Sequence, residues 1–374
     1  MLFSAASLFY GLLFFNFANN DVNSYFTSYY KKNNLYTAKL YQRLDSVFLS
    51  MVKENHFNGC ILIAQGSSIL YSNCTGYADF QSKKRINSLT RFELASVSKQ
   101  FTAIAILQLF EQGKLKLTDS VQQYIPTFPY SGVSISQLLC HRSGVPDYFK
   151  FADKFQENKD FLIDNDSLER MLEAHFQPLT FPSGTSFNYS NTGYATLALI
   201  VEKISGQSFP EYVKRFIFEP AGMKNTCFYD QKAYMDGKNF AFGHKKDKKV
   251  YQKDYLSGIF GDKGIFSTVN DLFLYNNALD SNKLLKEETK NMAFEPHNLD
   301  LSQCNNYGYG WRLDCDKNGS ALVYHGGLWN GNNTLFIKRL DDNVLIIFLS
   351  NIYNRGFAGG RSDLFLQILD EERL

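Results

Sequence analysis

Strand-forming segments lie towards both ends of this 374-residue chain, and helix-forming segments fill its middle. Two apolar runs, residues 60–63 and 69–71, are separated by a short Gly/Ser turn, which predicts an antiparallel hairpin. Strand patterns return near the other end, at Gly308 to Leu313, Leu322 to His325, Asn333 to Lys338 and Val344 to Leu349. Because strands bury their apolar faces in common layers, we expect the two ends to share one antiparallel sheet.

Apolar residues recur at helical spacing from Leu40 to Met51 and again in the stretch that follows Ser96. The second stretch is apolar around most of its circumference, which predicts a central, buried helix. Helical patterns also dominate the middle of the chain and close it, at Ile135 to His141, Leu168 to His175, Thr192 to Ser205, Phe209 to Phe218 and Leu364 to Leu369. The predicted fold class is α+β, with an antiparallel sheet built from both chain ends, flanked by helices, and an inserted all-helical lobe.

The length of the chain suits two structural units, since a domain commonly takes about 100 to 200 residues. We assign residues 37–130 together with 255–374 to an α/β sheet domain, and residues 131–254 to a helical domain. Residues 19–36 are polar and aromatic and are interpreted as a linker. A cleft between the two lobes is a common place for an active site.

An uncharged apolar run covers residues 2–18. Its length is typical of the hydrophobic region of a signal peptide, although no Lys or Arg precedes it. The alternative is an uncleaved membrane anchor, for which the run is short, because a membrane-spanning helix needs about 20 apolar residues. We therefore expect residues 1–18 to direct export, to a periplasmic or secreted location, with membrane attachment through residues 2–18 as the alternative.

The 39 basic and 37 acidic residues are interspersed, so no basic stripe marks a nucleic-acid-binding surface. A nucleic-acid partner is not expected. None of the six cysteines forms a Cys-x-x-Cys pair, which argues against a zinc cluster, and neither a metal nor a cofactor is expected. Cys60 and Cys74 lie symmetrically about the predicted hairpin turn. They are either a disulfide of an exported protein or two buried thiols.

Three short motifs follow one another in the order Ser96-Val97-Ser98-Lys99, Tyr189-Ser190-Asn191 and His325-Gly326-Gly327. Each motif is weak alone, because Ser-x-x-Lys also occurs at residues 28–31 and 50–53. Together they are the residue types that a serine acyl-transfer site requires.

Ser96 and Lys99 are three residues apart at the predicted start of a helix, so both side chains lie on one face. This is the arrangement that a nucleophile and its base require. The helix N-terminus also offers free backbone N–H groups and a partial positive charge near Ser96. The alternative is a serine that caps the helix beside a solvated surface lysine.

Tyr189 and Asn191 are two residues apart, which in an extended segment directs both side chains to the same side. A phenol has a pKa of about 10 and becomes a useful base only if nearby cations lower that pKa. Lys99, together with a protonated His325, would have this effect. The alternative is a tyrosine that packs in a loop and an asparagine that satisfies backbone groups.

His325 precedes Gly326 and Gly327, and paired glycines in a strand leave room for another backbone to approach closely. The functional interpretation is a substrate that lies along this strand edge. The alternative is a hairpin glycine pair beside an incidental histidine.

Further signatures surround the motifs, in segments 92–102, 117–126, 135–148, 182–194 and 219–223. In these segments the chain resembles the penicillin-recognising serine hydrolases, the family of class C β-lactamases, D-alanyl-D-alanine carboxypeptidases and related esterases and D-peptidases. The similarity keeps the family order over roughly residues 40 to 350. It implies a β-lactamase/transpeptidase-like fold and a metal-independent hydrolase.

The resemblance also implies catalytic roles for the motif residues. Ser96 is the expected acylated nucleophile, and Lys99 and Tyr189 are expected to share the work of general base and proton relay. Which of the two is the main base stays open. His325 is expected to line the third wall of the site and to help move or stabilise protons.

The remaining positions are implied to bind the substrate. Asn191 is expected to orient the substrate amide or the catalytic lysine. The backbone N–H groups of the nucleophile and of Leu328 are expected to form the oxyanion hole, beside Gly326 and Gly327.

One departure from the family bears on the substrate. Many β-lactamases of the family carry Lys where this chain has His325, so the fixed cation that would pair with a substrate carboxylate is missing there. The resemblance therefore favours a peptidase, carboxypeptidase or esterase that acts on a small molecule or peptide, one source of which is the cell wall. The alternatives are a genuine β-lactamase and a catalytically silent member that only binds peptidoglycan.

Overall fold

The computed structural model describes residues 35–55, 57–155, 158–251, 254–299, 301–354 and 359–372. The predicted signal peptide or anchor lies outside the described residues. So does the predicted linker 19–36, except for its last two residues, which begin a helix. Among the helices that the structure describes, none has the length and apolar content to cross a membrane.

The strands are β1 Gly59–Gln65, β2 Ser68–Thr75, β3 Tyr77–Asp79, β4 Lys84–Arg85, β5 Phe92–Glu93, β6 Cys227–Phe228, β7 Ile265–Ser267, β8 Asn305–Tyr307, β9 Arg312–Cys315, β10 Ala321–Trp329, β11 Asn332–Arg339 and β12 Val344–Ser350. Seven of them form one antiparallel sheet in the order β2-β1-β12-β11-β10-β9-β8. β3 pairs with β4, and β5, β7 and β6 form a smaller sheet. The prediction that both chain ends share one antiparallel sheet is confirmed.

The helices are α1 Leu35–Asn55, α2 Ser98–Glu111, α3 Ile135–Leu139, α4 Ala152–Phe155, α5 Asn165–Ala174, α6 Asn191–Ser205, α7 Phe209–Val213, α8 Glu219–Ala221, α9 Gln231–Met235, α10 Val269–Asp280, α11 Glu287–Ala293 and α12 Gly359–Glu371. A π-helical turn, Lys214–Phe218, joins α7 to α8. α2 is buried from Ser98 to Leu107 and again at Leu109, which confirms the prediction of a central, buried helix.

Both faces of the central strands are covered, so these strands are apolar throughout. In β12, the odd-numbered residues of 345–349 face a large core that includes most of α2, and the even-numbered residues of 344–348 face a second core. α1 closes the second core with side chains that recur every three or four residues, Leu40, Leu44, Phe48 and Met51. The sheet is therefore the middle layer between two groups of helices.

β1 and β2 form the predicted hairpin, in which Cys60 lies directly opposite Cys74. The two cysteines are joined as a disulfide, which decides between the two alternatives that the sequence leaves open. A second disulfide joins Cys304 and Cys315. The sequence does not indicate this second pair, because only the pairing of β8 with β9 brings the two residues together.

The predicted strand from Gly308 to Leu313 is wrong as a single element, because β8 ends before Gly308 and β9 begins at Arg312. The backbone between them turns and packs closely against α11 and α2. A Cβ on Gly308 would lie 2.1 Å from the Ala293 carbonyl oxygen, and Gly310 has a φ of +94°. This turn requires glycine at both positions, which is why the strand is interrupted.

Residues 131–254, predicted to form the helical domain, contain α3 to α9 and also the short strand β6, which pairs with β7. The large core includes side chains from this region together with side chains of α2 and β12. The two regions therefore share apolar packing, and the predicted domain boundaries stay a prediction.

Candidate active site

The predicted nucleophile Ser96 lies in a 3-10 turn, Ala95–Val97, between β5 and α2. The Thr334 hydroxyl donates to the Leu94 carbonyl oxygen at 2.7 Å and fastens the turn to β11. Ala95 has a φ of +49°, a conformation that costs a residue with a Cβ about 1 to 3 kcal/mol. Such strain persists only where surrounding contacts determine the backbone, so the position of Ser96 is fixed by packing.

β10 packs directly against this turn at Gly327. A Cβ on Gly327 would lie 2.3 Å from the Leu94 carbonyl oxygen and 3.0 Å from the Ala95 Cβ. The close approach predicted for the glycine pair thus occurs, but the approaching backbone is the nucleophile turn of the chain itself. Gly326 is different, because the nearest atom to its Cβ would be 3.8 Å away and it lines the open cleft.

Lys99 is fully buried beneath Ser96. Its amine donates to three oxygen acceptors: Ser96 Oγ at 3.3 Å, Asn191 Oδ1 at 2.8 Å and the Asp262 carbonyl at 2.9 Å. Burial lowers the pKa of Lys99 to about 8, although the nearby carboxylates of Asp262 and Asp147 oppose this shift. About a tenth of the lysine is therefore neutral at pH 7 and available as a base.

Tyr189 lines the cleft beside Lys99, whose Nζ lies 4.8 Å from the centre of the Tyr189 ring. Its hydroxyl is buried and faces the Ser96 side chain, whose hydrogen-bonding effect lowers the pKa of the phenol. Burial raises the pKa of Tyr189 well above that of an ordinary phenol and outweighs the lowering effects of Ser96 and Arg312. The hypothesis that Lys99 and His325 lower this pKa is therefore wrong, and the phenol keeps its proton.

His325 is buried, and both of its ring nitrogens are engaged. Nδ1 lies 2.8 Å from the Gly326 carbonyl oxygen, which can only accept, so Nδ1 carries the proton. Nε2 then accepts from the Tyr307 hydroxyl at 3.0 Å. Burial lowers the pKa of His325 well below its ordinary value, and the charges of Arg312 and Lys99 lower it further. The His325 imidazole is therefore uncharged at pH 7 and lines the cleft. Its predicted part in proton transfer stays a prediction.

The predicted site residues surround one cleft of about 280 Å³. Six of the eight line it directly: Ser96, Tyr189, Asn191, His325, Gly326 and Leu328. Lys99 lies beneath the cleft and Gly327 behind its wall, so the structure brings all eight together. A larger cavity of about 530 Å³, near α12, is lined mainly by acidic and amide side chains and contains none of these residues.

The substrate-binding edge predicted for the third motif is present. β9 pairs only with residues 321–324 of β10, so residues 325–329 form a strand edge without a neighbour in the part of the chain that the structure describes. Ser96 and Leu328, whose backbone N–H groups are the predicted oxyanion hole, line the same cleft. Within the described ranges, no group of three or more His, Cys, Asp or Glu side chains is placed to hold a metal ion.

The Beta-lactamase family model matches residues 44–367. This chain belongs to the Beta-lactamase family. The family resemblance carried by the motifs is thereby confirmed. The chain is also 34% identical to penicillin-binding protein 4* of Bacillus subtilis (strain 168) over 327 residues, which are 83% of this chain and 71% of that protein.

Two solved structures share the fold of this Beta-lactamase family member. The penicillin binding protein from Bacillus halodurans has a TM-score of 0.74 at 27% identity, over 86% of this chain and 98% of that chain. The D-amino acid amidase from Ochrobactrum anthropi SV3 has a TM-score of 0.75 at 19% identity, over 88% of this chain and 99% of that chain. The predicted fold class is confirmed, and family membership supports activity of the serine hydrolase type.

The motifs do not indicate Arg312, a cation that lines the cleft. Its guanidinium carbon lies 5.3 Å from the centre of the Tyr189 ring and 5.8 Å from that of Tyr307. No described carboxylate or hydrogen-bond acceptor pairs with it. The cleft thus contains a cation on β9, although His325 is neutral. The sequence around Arg312 is that of an ordinary strand, so its position in the cleft follows only from the pairing of β9 with β10.

A buried ion pair, Asp262 and Lys263, lines another part of the cleft. Lys263 Nζ donates to the Tyr148 hydroxyl at 2.7 Å and to the Ile259 carbonyl at 3.2 Å, and lies 3.5 Å from Asp262 Oδ1. The Tyr148 hydroxyl donates to Asp262 Oδ2 at 3.0 Å. This network fixes the segment whose carbonyl accepts from Lys99. In the sequence, the signal for this ion pair is that Asp262 and Lys263 lie between Gly261 and Gly264 in an otherwise apolar stretch.

The pH dependence of the rate tests Lys99 as the base. We expect kcat/KM to rise with pH along an acid limb with an apparent pKa of about 8, because Lys99 must be neutral to accept the Ser96 proton. Below this pKa the lysine is protonated and the rate falls about tenfold per pH unit. The measurement is kcat/KM for a chromogenic ester from about pH 6 to about pH 10, with circular dichroism at each pH. A rate that does not change across the acid half of this range would contradict the assignment.

Gly327→Ala tests the close packing of β10 against the nucleophile turn. The new Cβ would overlap the Leu94 carbonyl oxygen, so we expect a loss of about 1 to 3 kcal/mol in the free energy of unfolding, together with a lower kcat/KM. The matched control is Gly326→Ala, whose Cβ would meet no atom closer than 3.8 Å. Urea unfolding of both variants makes the comparison. Equal stabilities would show that the packing at Gly327 is looser than the structure has it.

Proposed function

We propose that this chain is a serine hydrolase that cleaves an amide or ester bond through an acyl-enzyme on Ser96. The observation that carries the proposal is the contact between Ser96 Oγ and the buried Lys99 amine, 3.3 Å apart. With a pKa of about 8, this amine is neutral often enough to take the serine proton and is still a strong base. A lysine that serves only packing has no need of a contact with a cleft serine.

In the proposed acylation, neutral Lys99 accepts the Ser96 proton as Oγ bonds to the substrate carbonyl carbon. The carbonyl oxygen becomes negative and is stabilised by the backbone N–H groups of Ser96 and Leu328. On collapse, Tyr189 donates its proton to the leaving amine or alcohol and regains one from the Lys99 ammonium. Water then attacks the acyl-enzyme with the same groups acting in reverse. The Tyr189 hydroxyl, which keeps its proton and faces Ser96, supports its role as the donor.

We infer that the leaving group carries a carboxylate. Arg312 supports this inference, because its guanidinium lines the cleft, is held by two aromatic rings and pairs with no described acceptor. The free carboxylate at the end of a peptide is a matching partner. This favours a carboxypeptidase over a simple esterase, and a short peptide of the cell wall is a substrate of this class.

The other end of the cleft is aromatic. Phe149 and Trp329 stack with ring centroids 5.2 Å apart and planes at 11°, and Leu328 beside Trp329 is 40% exposed. Arg312 lies opposite Tyr324, near the start of the free edge of β10, whereas Trp329 ends that strand. A substrate along this edge therefore extends from the unpaired Arg312 to an aromatic wall, against which the Lys263 ammonium, paired with Asp262, also lies, and we expect its acyl portion to be apolar.

Penicillin acylation is a second candidate activity, with a specific observation in its favour. The Bacillus relatives are named penicillin-binding proteins. Like the proposed substrate, a penicillin contains both an amide bond that a serine can attack and a free carboxylate. A β-lactamase would release the opened antibiotic rapidly, whereas a peptidase would keep it bound to the serine. The rate of release therefore distinguishes the two.

We also propose an exported location. The two disulfides, Cys60–Cys74 and Cys304–Cys315, support it, because disulfides persist mainly in oxidising compartments. The apolar run 2–18 supports either a cleaved signal or an anchor. Small molecules or peptides derived from the cell wall are the substrates we expect at such a location.

Ser96→Ala tests the acyl-enzyme. Mass spectrometry after incubation with a fluorescent penicillin, or with a fluorophosphonate, should show one adduct on the peptide that contains Ser96 and none in the variant. Ser50→Ala is the matched control, because Ser50 begins another Ser-x-x-Lys sequence within the described residues but lies on α1. It should be labelled like the wild type. Without a Ser96-dependent adduct from either probe, the enzyme proposal is wrong.

Arg312→Gln tests the recognition of a substrate carboxylate. We expect the preference for a peptide with a free carboxylate over its amide-capped counterpart to fall about 10- to 100-fold, as a lost charge-assisted hydrogen bond implies. Because Arg312 also lowers the pKa of Lys99, the measurement is the ratio of the two kcat/KM values at one pH. Lys317→Gln, which removes an exposed cation outside the cleft, should leave the ratio unchanged. An unchanged ratio in Arg312→Gln would exclude this recognition.

A further inference from the structure

Asp147 joins the turn Tyr148–Lys150 to the start of α6. Its Oδ1 atom accepts from the Phe149 N–H at 3.1 Å and caps the turn. Its Oδ2 atom accepts from the backbone N–H of Asn191 at 3.0 Å and from the side-chain Nδ2 of the same residue at 2.8 Å. Ser190, which precedes α6, makes no side-chain capping hydrogen bond. One carboxylate thus caps α6 and holds the first side chain of that helix.

This carboxylate decides which way the Asn191 amide faces. An ionised Asp accepts hydrogen bonds and donates none, so the NH₂ group of Asn191 must point to Asp147. The amide oxygen then points to Lys99, with 2.8 Å between Oδ1 and Nζ. The reverse orientation would place the oxygen against the carboxylate and the NH₂ group against the ammonium. Both hydrogen bonds would be replaced by repulsive contacts.

We propose that Asp147 is a positioning residue for the reaction, because it fixes the Asn191 amide so that its oxygen holds Lys99 beside Ser96. The proposal rests on the proposed role of Lys99 as the base. The Lys99 ammonium has three acceptors, and the Asn191 oxygen is the closest of them. Without the fixed amide, the amine would be free to move away from Ser96 Oγ.

Asp147 also acts on Lys99 through its charge. The titratable and charged groups that face Lys99 come from every element packed around it. They are Asp147 and His141 after α3, Tyr189 just before α6, Tyr194 within α6, Asp262 and Lys263 before β7, Arg312 on β9 and His325 on β10. Burial lowers the pKa of both histidines, so they are neutral. Of the charged groups, Asp262 and Asp147 raise the pKa of Lys99, and Arg312 lowers it.

Asp147→Asn separates this role from simple capping. The substitution keeps the size of the side chain, removes its negative charge and adds an NH₂ group that can face the Asn191 oxygen. The ammonium then loses a nearby charge and an acceptor, so we expect the pKa of Lys99 to fall by about one unit. The acid limb of kcat/KM moves to lower pH by the same amount. The plateau, the maximum kcat/KM that the variant reaches at high pH, falls about 10- to 100-fold, because the Lys99 amine is no longer held beside Ser96.

Two measurements detect the change. NMR titration of ¹³C-labelled lysine in the resting protein reports the pKa of Lys99 without turnover, and the pH profile of kcat/KM reports the acid limb. Asp230→Asn is the matched control, because Asp230 caps α9 through the Ala233 N–H at 2.7 Å and lies outside the cleft. Both readouts should stay at wild-type values in this variant. Asp147→Glu keeps the charge, so the pKa of Lys99 should stay close to that of the wild type even if the plateau falls.

A lower plateau with an unmoved lysine titration in Asp147→Asn would show that Asp147 only caps α6, and would overturn the proposal. If that variant does not fold, Asn191→Ala removes the same acceptor, and an unchanged pKa of Lys99 there would overturn it equally. Failure of the proposed function would be seen in a different experiment, the labelling by penicillin or fluorophosphonate, as the absence of a Ser96-dependent adduct in the wild type. The titration of Lys99 does not depend on that result.

Discussion

The burial of the Lys99 amine is the interaction on which the site depends. A buried ammonium is costly unless hydrogen-bond acceptors replace its water. Ser96, Asn191 and Asp262 supply those acceptors, and they come from the nucleophile turn, the first residue of α6 and the segment before β7. One side chain thus holds three distant segments together. The same burial lowers the pKa of Lys99 towards the range in which a lysine serves as a base.

Apolar periodicity predicts those parts of the fold whose side chains repeat on a fixed pattern. The strands β1 and β12 and the helix α2 are predictable because they are buried almost all around, which leaves continuous apolar runs. The segment from Gly308 to Leu313 is mispredicted because its turn is imposed by contacts with α11 and α2, which a local pattern does not contain. Strands such as β5 and β7, with two and three residues, are too short to show a period.

The motifs predict which residues meet in the cleft, but not their protonation states. His325 is neutral because burial and the charges of Arg312 and Lys99 lower its pKa, and burial raises the pKa of Tyr189, so both states depend on the assembled core. The three motifs indicate neither Arg312 nor Asp147, although Asp147 lies within the signature segment 135–148. Arg312 reaches the cleft through the pairing of β9 with β10, whereas Asp147 acts from outside the cleft lining through its hydrogen bonds to the start of α6.

The charges around the cleft link binding to proton transfer. Among the described residues that line it, Lys263 is compensated by Asp262, whereas Arg312 pairs with no carboxylate, so we expect its charge to orient a substrate that bears the proposed carboxylate. Arg312 also lowers the pKa of Lys99. A carboxylate bound to the guanidinium would offset that effect, because the net charge facing the amine would fall. We therefore expect the pKa of Lys99 to be higher with a bound substrate that bears the carboxylate than with one that lacks it.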